Sequence, residues 1–88
     1  MEFFSCKDVK AGAFGTPFFA RSSVEAQRGL AVGMRDNPSS PMANYPADFE
    51  LWRVGKFDTE RGFFIPGDPD FICGLAELKL PAQGGSNV

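Results

Sequence analysis

The arrangement of apolar and polar residues changes period along the chain, and each change marks an element. Residues 2 to 7 hold Phe3, Phe4 and Cys6 without a helical spacing and predict a first strand, which leads into a connection punctuated by Gly12 and Gly15. Phe14 to Ala20 sets Gly15 and Pro17 among aromatics, a composition for an extended or looped segment packed by Phe14, Phe18 and Phe19. Pro17, with no N–H to donate, is excluded from a central ladder position. The pattern then turns helical. Ser22-Ser23-Val24-Glu25 is a capping box, in which serine and glutamate satisfy each other's orphan backbone donors, and the helix it opens is predicted to end near Asp36. At 100° per residue Val24, Ala26, Gln27, Leu30, Ala31, Gly33 and Met34 share one half of the wheel, with Arg28 and Arg35 on the other.

After the helix, Asn37-Pro38, Pro41 and Pro46 predict an irregular stretch. Phe49 to Phe57 is the strongest strand, and after Asp58-Thr59-Glu60-Arg61-Gly62 the run Phe63-Phe64-Ile65 closes a hairpin, with Gly62 in the left-handed position. Phe71 to Leu75 reads as a last strand, and Ala76 to Leu80 as its continuation or a helical turn. Strict alternation sends Phe49, Leu51, Gly55 and Phe57 to one face of the central strand and Glu50, Trp52, Val54 and Lys56 to the other. Both faces then carry aromatics. One helix covers only one of them, so Trp52 and Val54 require a second cover: more chain, a subunit or a nucleic-acid base.

These elements predict an α+β fold, a small antiparallel sheet of about four strands packed by one amphipathic helix, with a partly open OB-like barrel as the alternative. Residues 1–81 are expected to form a single compact domain and 82–88, rich in Gly and Ser, a flexible C-terminal tail. A chain of 88 residues buries only about 60 to 65 per cent of its unfolded surface, so a monomer is marginally stable. No stretch has the make-up of a signal peptide or the roughly 18 apolar residues of a membrane span, so a soluble, unexported protein is expected.

Three sequence blocks occur in a fixed order between Lys7 and Phe71. Lys7-Asp8-Val9-Lys10-Ala11-Gly12-Ala13-Phe14-Gly15-Thr16-Pro17-Phe18 is followed, after the helical stretch, by Asp36-Asn37-Pro38-Ser39-Ser40. The third block runs Asn44-Tyr45-Pro46-Ala47-Asp48-Phe49-Glu50-Leu51-Trp52-Arg53-Val54-Gly55-Lys56-Phe57-Asp58. In order and spacing these blocks resemble the small nonstructural protein of gokushoviruses, single-stranded-DNA phages of the Microviridae. The resemblance extends over roughly residues 7 to 65 and implies a DNA-binding, nonstructural product that acts in viral DNA replication or packaging in the host cytoplasm.

The chemistry of the side chains narrows the function further. The chain has no histidine, which removes imidazole acid–base catalysis and histidine metal ligation. Ser22, Ser23, Ser39 and Ser40 fall at a cap and a turn with no base to activate them. The pairs Asp58 with Glu60 and Asp68 with Asp70 lie in predicted turns and lack the spacing of a calcium loop. Gly12-x-x-Gly15 lacks the lysine and strand-to-helix setting of a phosphate-binding loop. No enzyme, cofactor or metal is therefore expected. Cys6 and Cys73 sit in apolar runs and are expected as free core thiols.

Single-stranded DNA asks for cations along its backbone and flat side chains under its bases. Lys7, Lys10 and Arg21 flank the Phe14-to-Phe19 block, and Arg53, Lys56 and Arg61 surround Trp52 and the hairpin. Phe14, Phe18, Tyr45 and Trp52 are the stacking candidates. Against this stands the net charge of −2, with five basic and four acidic residues in 1–44 but four basic and seven acidic in 45–88. Binding is thus expected to be local, salt-sensitive and assembled from a homodimer. The competing expectation is a homodimeric protein-interaction adaptor that engages a viral or host protein without touching nucleic acid.

Overall fold

The computed structural model describes residues 1–78, so the expected tail at 82–88 lies outside the described residues. The fold is α+β, an antiparallel sheet curled into a half-barrel with one main helix against it. The strands are β1 (Glu2–Asp8), β2 (Ala13–Phe14), β3 (Phe18–Ala20), β4 (Phe49–Asp58) and β5 (Phe63–Gly74). Their order is β2-β1-β4-β5, with β3 pairing β1 alongside β2. β2 and β3 are thus two pieces of one edge strand. Pro17 lies in the gap between them, where a missing N–H costs no ladder bond.

The same turn chemistry is used twice. After β1, Asp8 Oδ1 accepts the Ala11 N–H at 3.1 Å, and the Gly12 N–H returns to the Asp8 carbonyl at 2.8 Å with Gly12 at φ 70°. After β4, Asp58 Oδ1 accepts from the N–H groups of Glu60 and Arg61, and the Gly62 N–H returns to the Asp58 carbonyl at 2.8 Å with Gly62 at φ 79°. A left-handed residue is needed four positions after the aspartate, and glycine adopts it without a Cβ clash. The second acidic pair behaves otherwise. Asp68 and Asp70 belong to β5, which runs continuously from Phe63 instead of breaking into a turn and a separate last strand. Only its pairing is irregular: Arg53 faces Asp70 and Gly55 faces Pro66, so residues 67–69 bulge out of the ladder.

Helix α1 (Ser23–Asp36) starts where the serine signal places it: the Glu25 N–H donates to Ser22 Oγ at 3.2 Å. The reciprocal half of the box differs by one residue, since Glu25 Oε1 accepts from the Arg21 N–H at 2.9 Å. Ala26, Ala31 and Met34 are buried and Leu30 packs on the core, but Val24 is 60 % exposed. Val24 lies in the first turn of the helix, where Ala26 is the residue that meets the core. The stretch expected to be irregular forms two short pieces, α2 (Pro41–Asn44) and a 3-10 turn at Pro46–Asp48. Ser40 Oγ accepts the Ala43 N–H at 3.2 Å, and both prolines sit at the start of their helices, where the lost N–H is unpaired anyway.

The core lies between the helix and one face of the sheet. Phe4, Leu51 and Leu75 are fully buried there, with Ala20, Ala26, Met34 and Cys73 beside them. Each fully buried Phe or Leu contributes about 1.5–3 kcal/mol. Both cysteines are free, Cys73 buried and Cys6 partly so. Burial, reinforced by Cys73, pushes the Cys6 thiol up to about 11, and burial also raises Cys73.

Strict alternation along β4 fails at one residue. Phe4 faces Arg53 while Phe3 faces Gly55, which leaves Val54 as an extra residue in a β-bulge. A one-residue slip inverts every side chain beyond it. Phe57 therefore turns to the face of Trp52, away from the helix, and Lys56 turns to the face of Glu2 and Phe4.

Candidate nucleic-acid interface

The alternation that buries Phe4 places Phe3, Ser5 and Lys7 on the opposite face of β1, which the helix does not cover. Their neighbours in adjoining strands are aromatic: Phe19 beside Phe3, Phe14 beside Lys7, and Trp52 beside Ser5, with Phe71 beyond Trp52. This open face divides into two clusters.

The first surrounds Trp52. Phe14 and Phe71 meet its ring edge-on, at centroid distances of 5.8 and 5.6 Å and interplanar angles of 81° and 75°. Edge-to-face contact is the arrangement that aromatic quadrupoles favour. Lys7 Nζ stands 5.5 Å from the Phe14 centroid and 5.6 Å from that of Trp52, a cation over two rings. The indole N–H donates to Glu50 Oε1 at 3.1 Å, which fixes the ring plane. Phe14 is 43 % and Phe71 53 % exposed, so the cluster offers ring surface to a ligand.

The second cluster lies farther along β4 and contains only hydrocarbon. Phe3 stacks at 4.1 Å on Phe19 and 4.7 Å on Phe64, and Phe57 meets Phe19 at 5.9 Å and Phe64 at 5.2 Å. No cation stands over these rings among the described residues. Ser5, paired with Trp52, is buried, its hydroxyl donating to the Gly15 carbonyl at 2.7 Å. Five residues of strand separate Trp52 from Phe57, roughly 16 Å.

Of the cations expected along the phosphates, Lys7 alone joins a ring cluster. Lys10 pairs with Asp48 at 3.5 Å, Arg21 with Glu25 at 3.7 Å, and Arg61 with Asp58 at 4.0 Å. Arg53 bridges Asp70 at 2.7 Å and Glu2 at 3.6 Å; the Asp70 hydrogen bond, above all, raises its already high pKa. Lys56 is exposed and shares a recess of about 290 Å³ with Arg53, Asp68 and Asp70. Two carboxylates match two cations there, so the recess is not a phosphate clamp.

Among the expected stacking residues, Phe14 and Trp52 come together. Phe18 lies on the helix side, 6.1 Å from Phe4 and packed on the core, and Tyr45 is 64 % exposed but belongs to neither cluster. Sequence reasoning missed Phe71 and all of the Phe57 cluster. The spacing Phe3-x-Ser5-x-Lys7 carried a signal, since alternation alone puts that phenylalanine and that lysine on one face.

No helix among the described residues is long and apolar enough to cross a membrane. The family model described as Phage ORF5 protein matches residues 1–78. The chain belongs to that family and is a bacteriophage protein. No curated protein and no solved structure matches it.

Proposed function

We propose that this phage protein is a non-enzymatic accessory factor that binds single-stranded DNA in the host cytoplasm and acts in genome replication or packaging, as the resemblance to the gokushovirus nonstructural protein implies. The observation that carries this reading is the placement of Lys7 over the Phe14 and Trp52 rings on an uncovered sheet face. A phosphate meets the ammonium group while neighbouring bases stack on Phe14 and Phe71. Each base stacked on an aromatic contributes about 1–3 kcal/mol, largely without regard to sequence. The ion pairs at Lys10, Arg21, Arg53 and Arg61 make the positive footprint small, so affinity is modest and salt-dependent.

Trp52 is the sole tryptophan and its fluorescence reports on its own site. Titration with oligodeoxythymidylate is expected to quench it, with a log–log salt slope of about −0.7 per phosphate neutralised. Lys7→Gln should lower affinity and flatten that slope by about 0.7, while Phe71→Ala should weaken binding and leave the slope unchanged. A protein whose emission does not respond to oligonucleotide at low salt, and which shows no binding by anisotropy, does not bind DNA through this face.

The second reading, a homodimeric adaptor without nucleic-acid contact, is favoured by the same ion pairs, which leave most of the surface cations neutralised locally. Trp52→Ala separates the two. It weakens DNA binding and spares self-association under the first reading, and disrupts self-association under the second.

A further inference from the structure

Lys7 and Glu50 stand opposite each other in the β1–β4 ladder, on the uncovered face of the sheet, and they do not pair. The ammonium turns to the Phe14 and Trp52 rings, and the carboxylate receives the Trp52 indole N–H on Oε1 at 3.1 Å. Among the described residues no cation pairs with Glu50, which is half-buried. Its Oε2 and one lone pair of Oε1 are left for a ligand. We propose that Glu50 reads the Watson–Crick edge of an unpaired guanine whose ring stacks on Phe71, so that this face prefers single strands containing guanine. The inference rests on the DNA-binding reading of the Trp52 cluster and names the base that the cluster takes.

The place for that base is set by the β4–β5 register. Phe71 lies opposite Trp52 and Gly74 opposite Glu50, all four on the uncovered face. A methyl group built on Gly74 meets nothing within 4 Å, so the ground beside Glu50 is open. Trp52 and Glu50 are two residues apart, roughly 7 Å along the strand. A base lying on the half-exposed Phe71 ring reaches across that span with its edge over Gly74 and toward the carboxylate. On the far side of Glu50 the Lys7 backbone is one strand away, about 5 Å, which brings the ammonium within reach of a phosphate of the same strand.

Charge is the second observation. Holding the indole takes one neutral acceptor, and a carboxylate beside a phosphate-binding lysine repels a polyanion. The charge is an asset only to a group that donates. Guanine presents N1–H and an N2 hydrogen side by side, an edge that a carboxylate accepts with both oxygens. Adenine and cytosine set a single amino donor beside a ring nitrogen whose lone pair the carboxylate repels, and thymine sets one N–H between two carbonyls. A guanine already paired has this edge occupied, so the base must come from a single strand.

Anisotropy titrations with labelled oligodeoxynucleotides test the assignment. The probes are an oligodeoxythymidylate, the same oligomer with one central guanine, and a third with hypoxanthine in that place. The guanine oligomer is expected to bind the wild type roughly tenfold more tightly than the thymidylate, the discrimination of one bidentate base contact. Hypoxanthine keeps N1–H but lacks the amino group, and is expected to lose most of that gain. Glu50→Gln keeps an oxygen for the indole but turns an amide N–H group toward the guanine donors, and is expected to bring the guanine and thymidylate oligomers to equal affinity. Equal wild-type affinity for guanine and thymidylate, equal affinity for guanine and hypoxanthine, or a guanine preference that survives Glu50→Gln overturns the base assignment and leaves DNA binding standing. Absence of binding to all three oligomers overturns both.

Discussion

The Trp52 and Phe57 clusters occupy the same face of the same strands, yet they are different surfaces. Around Trp52 a lysine stands over two rings and a glutamate fixes the indole, so the site can attract and orient a charged, flat ligand. Around Phe57 the rings contact one another, with no cation over them among the described residues. Aromatic content is therefore a poor guide to role; what decides it is whether a cation reaches the rings.

The arrangement is broken most severely by deleting Val54. Without the extra residue the register beyond Arg53 slips by one, Phe57 is driven toward the helix side, and the β1–β4 pairing at Phe3 is lost. The expected outcome is loss of a cooperative thermal transition followed by circular dichroism. Phe4→Ala comes next. Its ring is fully buried on the covered face, directly behind both clusters, and its removal is expected to cost about 3–5 kcal/mol in urea denaturation. The smallest effect comes from Cys6, which faces away from Lys7.

The Cys6 thiol is pushed up to about 11 from an ordinary 9.0, so between those values the unfolded chain has released a proton that the folded chain keeps. Stability from this group is full below pH 9 and falls as pH rises through 11. Iodoacetamide is expected to label the native protein slowly at pH 8 and faster only near pH 11, whereas urea-unfolded protein reacts readily at pH 9.

The helix, its serine cap, the first strand, the β4–β5 hairpin and its left-handed glycine were legible because each rests on a local signal. Local signals also misled. Asp68-Pro69-Asp70 has turn composition, but Asp70 is held in β5 by Arg53, a partner seventeen positions away whose pull is invisible to a window of neighbours. The bulge at Val54 has no composition of its own. It arises from fitting β1 against β4, and it decided which face Phe57 joined. The ion pairs that occupy Lys10 and Arg53 are likewise products of topology, joining β1 to its neighbours and the β1–β2 turn to the segment before β4. Cations were easy to find in the sequence, and their carboxylates were not easy to assign.

Pro66 and Pro69 also bear on what happens as the protein accumulates. A long outermost strand with exposed phenylalanines is the template from which ordered fibrils grow, each added chain extending the ladder by one. Pro66 and Pro69 have no N–H, and residues 67–69 bulge out of the ladder, so this stretch presents no regular row of donors to an incoming strand. Replacing both prolines by alanine would remove that safeguard while leaving the ring clusters in place.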